Sequence, residues 1–95
     1  MRKTIILAKL KFVQDCCDRL STKIYDDINR SAASFPIPQA EEYVEMLREI
    51  KGQASMWERN IDWMTEHEYE CSVRHVFDRF NTLMSSIIPS ERIEI

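Results

Sequence analysis

His67, Cys71 and His75 recur at every fourth residue. On a helix this spacing projects three side chains from one side, and imidazole nitrogen and thiolate sulfur are both good zinc donors. The line drifts by about 40° per step, because four residues turn through more than a full circle. Three ligands on one straight helix therefore do not converge, and a fourth would have to come from Cys16, Cys17 or a carboxylate. The pattern is read as a polar flank with one semi-buried thiol, and neither a metal nor any other cofactor is expected. His75 and Asp78 are three apart and suited to a surface pair. A histidine and a carboxylate alone lack a nucleophile, an oxyanion hole and a cleft. There is no glycine-rich phosphate loop. Cys16 and Cys17 would need a neighbouring base to act as nucleophiles, and their own helix supplies none. No enzyme activity is expected. Adjacent cysteines are also badly placed to bridge each other within a helix. The three thiols are expected to be reduced, as in a cytoplasmic protein.

Two further groups suit binding. Arg2, Lys3, Lys9 and Lys11 give the first 13 residues a charge of +4 with no acid among them, which leaves −7 on the rest of a chain whose net charge is −3. With Phe12 nearby, these cations could touch phosphates, and four charges would give a salt dependence without tight binding. The competing explanation is that they flank a buried seam and pair with acids of the next helix. Met46, Gln53, Met56, Asn60 and Trp63 form a second line beside the main apolar seam of the middle helix. Methionine and tryptophan are enriched in the cores of protein interfaces, and tryptophan is a frequent hot spot. Trp63 is two residues from Ile61 and so points away from the seam. Met56 is seven residues before Trp63, two turns back on a continuous helix. The competing explanation is a central helix that needs a broad stripe because it touches both neighbours.

Three helices position these groups. Ile6, Leu10, Val13, Cys17, Leu20, Ile24 and Ile28 step in threes and fours, which predicts a helix from Lys3 to Asn29. Pro36 and Pro38 disfavour helix in the residues before them, so Ser31 to Ile37 is read as a linker with Phe35 and Ile37 tucked onto the bundle end. Tyr43, Leu47, Ile50, Ala54, Trp57, Ile61 and Met64 predict a second helix from Pro38 to Met64. Gly52 lies inside it, tolerated on a solvated face at a cost of about 1 kcal/mol against alanine. The seam then breaks phase, with a step of five from Met64 to Tyr69. Thr65 followed three residues later by Glu68 matches a capping box, with Met64 and Tyr69 at the staple positions. A third helix is therefore expected from Glu66 to Ile87, with a seam of Tyr69, Val73, Val76, Phe80, Leu83 and Ile87, ended by Pro89; the alternative is one long bent helix through Thr65. The tail from residue 89 to 95 alternates and reads as a short extended arm.

A chain of 95 residues suits a single domain with one modest core. One glycine and three prolines are too few for the turns of a sandwich or barrel. The apolar run after Thr4 ends by Lys9, too short for an export signal or a membrane span. The expected fold is all-α: an elongated, antiparallel three-helix bundle with a coiled-coil-like core, its helices about 40, 39 and 33 Å long at 1.5 Å per residue. The expected function is non-catalytic binding of another protein, as an adaptor, inhibitor or chaperone, through Met46, Met56, Asn60 and Trp63, with a homodimer or hetero-complex as the assembled form. The alternative is a small nucleic-acid-associated regulator that uses Arg2, Lys3, Lys9 and Lys11.

Overall fold

The computed structural model describes residues 2–30 and 37–87, with the backbone alone at Ile37. The expected packing of Phe35 and Ile37 and the extended tail fall outside what it describes. Three helical rods account for the rest. Helix α1 is Lys3–Asn29 and helix α2 is Ile37–Arg59. A 3₁₀ turn, Ile61–Trp63, leads into α3. Helix α3 spans residues 66–87 in three pieces: an α turn Glu66–Glu68, a π turn Tyr69–Val73 and an α segment Arg74–Ile87. Among the described residues there is no strand, and no helix is long and apolar enough to cross a membrane.

Cross-helix pairs fix the direction of each rod. Lys3 reaches the Asp62 carbonyl at 2.9 Å, Gln14 donates to Glu58 at 2.7 Å, and Asp18 pairs with Lys51, so α1 and α2 run antiparallel. Residues 39–50 of α2 share a groove with residues 75–86 of α3, and residues 53–57 share one with residues 72–79, so α3 runs antiparallel to α2 and therefore parallel to α1. The up-down-up bundle measures 45 × 23 × 18 Å. Helix α1 packs most closely on α2, and α3 packs next on α2.

The seams meet in one core. Ile6, Leu10, Val13, Cys17, Leu20 and Ile24 are buried on α1, and Ile28 is half-buried. Val73, Val76, Phe77, Phe80, Leu83 and Met84 are buried on α3. On α2 the buried face is shifted from the expected seam. Ala40, Val44, Leu47, Ile50 and Ala54 are inside, while Tyr43 and Trp57 are only half-buried. Tyr43 and Trp57 instead line the side of α2 that faces α3.

The second helix is shorter than its periodicity predicts, ending at Arg59 instead of Met64. Asn60 is the cause. Its side-chain amide donates to the Met56 carbonyl at 2.8 Å, and its backbone N–H is shared between the Met56 and Trp57 carbonyls at 3.2 Å each. An asparagine that bonds its own preceding turn competes with helix propagation. Met64 is nonetheless buried, delivered there by extended backbone after the 3₁₀ turn. The capping box is present as expected. Glu68 N–H donates to Thr65 Oγ1 at 3.1 Å, and Thr65 N–H donates to Glu68 Oε1 at 3.2 Å. The π turn that follows, closed by the Arg74 N–H on the Tyr69 carbonyl, is absent from the sequence-based expectation.

Candidate functional site

Met46, Gln53 and Met56, three members of the second line on α2, all line a groove between α2 and α3. The groove has two parts, of about 490 and 350 Å³. The larger part has Tyr43, Met46, Ile50 and Leu83 as its apolar wall. The smaller has Met56, Trp57 and Val76. From Gln39 to Trp57 the α2 wall extends about 27 Å at 1.5 Å per residue. His75 and Arg79 of α3 border both parts. The Arg79 guanidinium donates to Gln53 Oε1 at 3.0 Å and to Glu49 Oε2 at 3.1 Å, and so straps α3 to α2 across the groove. No spacing rule connects position 79 with 49 or 53, so this strap has no signature in the sequence.

The other two members of that line lie elsewhere. Asn60 spends its amide donor on the helix end. Trp63 stands in the 3₁₀ turn, 80% exposed. Because α2 ends between Met56 and Trp63, the straight-helix register that would stack them two turns apart does not continue to Trp63. Met56, 42% exposed, borders the groove, and Trp63 stands beyond its end of α2.

The four basic N-terminal residues meet different surroundings. Lys3 is tied to the Asp62 carbonyl, and Lys9 lies 6.0 Å from the Phe77 ring centroid. Arg2 and Lys9 border a notch of about 380 Å³ with Ile5, Tyr69 and two acids, Glu66 and Glu70. Lys11 is exposed. The expected pairing with acids of α2 takes a different form: Lys3 meets a backbone carbonyl, not a carboxylate.

The candidate metal ligands separate. Cys71 Sγ lies 3.7 Å from His67 Nε2 on an exposed surface, whereas His75 lines the α2/α3 groove beside Ser72. Among the described residues no three His, Cys, Asp or Glu side chains cluster closely enough to hold a metal ion. His75 and Asp78 both border the groove without a hydrogen bond between them. The thiols differ by burial. Burial pushes the Cys17 thiol up to about 12, with Cys16 and Asp18 adding to the shift and Lys51 opposing it. Burial, then Asp15, raises Cys16 as well. A protonated, enclosed sulfur is a poor nucleophile and a poor ligand. The arrangement as a whole offers shape, apolar surface and a few fixed charges. No protein-family model, curated protein or solved structure matches this chain.

Proposed function

We propose that this chain is a non-catalytic protein-binding module, an adaptor, inhibitor or chaperone that engages its partner through helix faces. The observation that carries the reading is the uncovered apolar surface of α2 and the turn after it. Met46 and Met56 border an open groove, and Trp63 is 80% exposed at the same end of α2 as Met56. A large indole left in water gains free energy when a partner buries it, and such residues dominate many interfaces. A groove between two antiparallel helices is also a shape that receives a third amphipathic helix.

Trp63→Ala tests the reading when thermal melting and partner capture from host extract are measured on the same sample. With 80% of Trp63 in solvent, the melting temperature should barely change. Capture should weaken about thirtyfold, since a central interface tryptophan contributes about 2 kcal/mol or more. Undiminished capture, or loss only alongside unfolding, would remove Trp63 from the interface. The nucleic-acid alternative predicts salt-sensitive retention on heparin. The acids Glu66 and Glu70 beside Arg2 and Lys9 favour weak retention instead.

A further inference from the structure

The turn between α2 and α3 is close to being a helix itself. It runs from Asn60 to Thr65, and no glycine or proline stands anywhere between Gly52 and Pro89. Ile61–Trp63 is a 3₁₀ turn, whose backbone differs little from that of an α-helix. Asn60 has φ −107° and ψ 18°, Met64 has φ −65° and ψ 125°, and Thr65 has φ −93° and ψ 164°. An α-helix needs negative φ and a ψ of about −42°, so the break lies mainly in two ψ angles, those of Met64 and Thr65. The apolar spacing is already that of an unbroken rod: Ala54, Trp57, Ile61 and Met64 keep steps of three and four across the end of α2. What holds the break is local. The Asn60 amide bonds the Met56 carbonyl at 2.8 Å, and Thr65 with Glu68 forms the capping box. One exposed hydrogen bond, from Lys3 Nζ to the Asp62 carbonyl, ties the turn to α1.

We infer that this turn is a hinge: it straightens, α2 and α3 become one helix, and α3 leaves its own α1–α2 hairpin to dock on that of a second copy. The joined helix, residues 37 to 87, is about 76 Å long at 1.5 Å per residue. The occupant is a second copy because the face each hairpin loses is the one that α3 already fits. Phe80 returns to a core of Leu10, Val13, Leu47 and Ile50, and Arg79 returns to Glu49 and Gln53, all of the other chain. The element that moves is α3, since α1 and α2 make the closest packing of the bundle. Reciprocal exchange of an identical element closes at two copies and creates no new core. The open form gives up the capping box and the Asn60 bond and gains helix hydrogen bonds across residues 60 to 65. Concentration and the hinge sequence therefore set the balance between the two forms. The inference goes beyond the protein-binding reading and does not depend on it, because the α2/α3 groove forms again between the copies.

Refolding of the whole protein from urea tests the inference, because every α3 must then dock afresh. Refolded at about 1 mM it should yield a dimer that outlasts dilution to about 10 μM in the cold, and refolded at about 1 μM it should yield monomer. Asn60→Ala with Thr65→Ala removes both helix stops and should raise the dimer association constant about tenfold or more. Two glycines inserted after Asp62 lengthen the turn and interrupt the joined helix, and should abolish the dimer while thermal melting shows a folded monomer. Complementation separates exchange from side-by-side association, and it decides the matter if the glycine insertion fails to fold. Phe80→Asp spoils α3 and Leu47→Asp spoils the hairpin, since both side chains have no exposed surface. Each variant alone should fail to form the three-helix core. Refolded together they should give a one-to-one heterodimer, in which the intact hairpin of one chain holds the intact α3 of the other. A wild type that is monomeric after refolding at about 1 mM overturns the inference, as does a dimer that falls apart at once on dilution. A double variant no more dimeric than wild type, a dimer that survives the glycine insertion, or a mixture as unfolded as its parts overturns it too. Partner capture by the monomer, compared between wild type and Trp63→Ala, bears on the protein-binding reading alone.

Discussion

Cys17 is enclosed between α1 and α2, and its thiol is held protonated up to about 12 against an ordinary value of 9.0. The folded state therefore binds this proton more tightly than the unfolded chain does. The resulting stability is fully present below about pH 9, the unfolded value, and is lost as pH rises through the folded value near 12. Within that window each pH unit removes at most about 1.4 kcal/mol. Denaturant unfolding of wild type and Cys17→Ala under reductant, at about pH 7 and about pH 10.5, should show wild type losing more stability than the variant. An equal loss in both would mean that the thiol does not titrate differently on folding. Gly52 gives a prediction of opposite sign. It is an exposed position inside α2, and a Cβ placed on it meets nothing within 4 Å. Gly52→Ala should raise stability by about 0.5–1 kcal/mol through lower backbone entropy in the unfolded chain, read as a higher denaturant midpoint. A lower midpoint would mean that this helix turn needs glycine. Tolerance of Gly52 on a solvated face was legible in the sequence, because its neighbours in the seam left it on the polar side. The Arg79 strap was not, because a contact between positions 79 and 49 depends on how two helices are offset.

The helix boundaries show which signals a sequence records. The α1 seam and the Thr65 box were both readable, since one is a period and the other a local hydrogen-bonding pattern whose two halves lie three residues apart. The end of α2 was not. Ile61 and Met64 continue the three-and-four spacing, yet Asn60 stops the helix, and Met64 reaches the core on extended backbone. The period reports which residues are buried, and backbone other than α-helix can bury them. The π turn at Tyr69–Val73 escaped for a related reason: one residue of slack lets Tyr69 and Val73 both face the core without disturbing the pattern. For the candidate site, the line of Met46, Gln53 and Met56 was readable because it lies wholly within α2, and its extension to Trp63 failed where the helix ends. The capping box gives the prediction at this scale. Thr65→Ala should cost about 1 kcal/mol by leaving the Glu68 N–H without its acceptor. Glu68→Ala should cost less in the Thr65→Ala background than in wild type, because the two side chains form one reciprocal unit. Denaturant midpoints of the four proteins in this cycle measure both. Strict additivity would mean that the two halves act separately.

The molecule as a whole is an α1–α2 hairpin with α3 laid mainly on α2, long in one direction and thin in the others. Such a rod has little interior for its length, so its cohesion depends on the few large side chains that are fully buried. Phe80 is the largest fully buried side chain and has no exposed surface. It lies on α3 one turn after Phe77, in the core shared with Leu10 and Val13 of α1 and Leu47 and Ile50 of α2. Phe80→Ala removes a fully buried ring and leaves a cavity in that core. The expected cost is about 3–5 kcal/mol. A domain of this length has about 5–14 kcal/mol in total at the usual value per residue, so one substitution could remove most of it. Tyr25→Ala is the matching control, since Tyr25 is a half-exposed aromatic at the rim of a cleft between α1 and α2 that no residue of α3 lines. Its midpoint in urea should stay close to that of wild type. The urea slope decides what Phe80 holds together. An unchanged slope with a much lower midpoint means that the three helices unfold as one unit. A reduced slope or a second transition means that α3 detaches first and leaves the α1–α2 hairpin folded, because less surface is then exposed in the main step. If Phe80→Ala instead unfolds at the same urea concentration as Tyr25→Ala, α3 contributes nothing to the core, and the three-helix packing would be wrong at its centre.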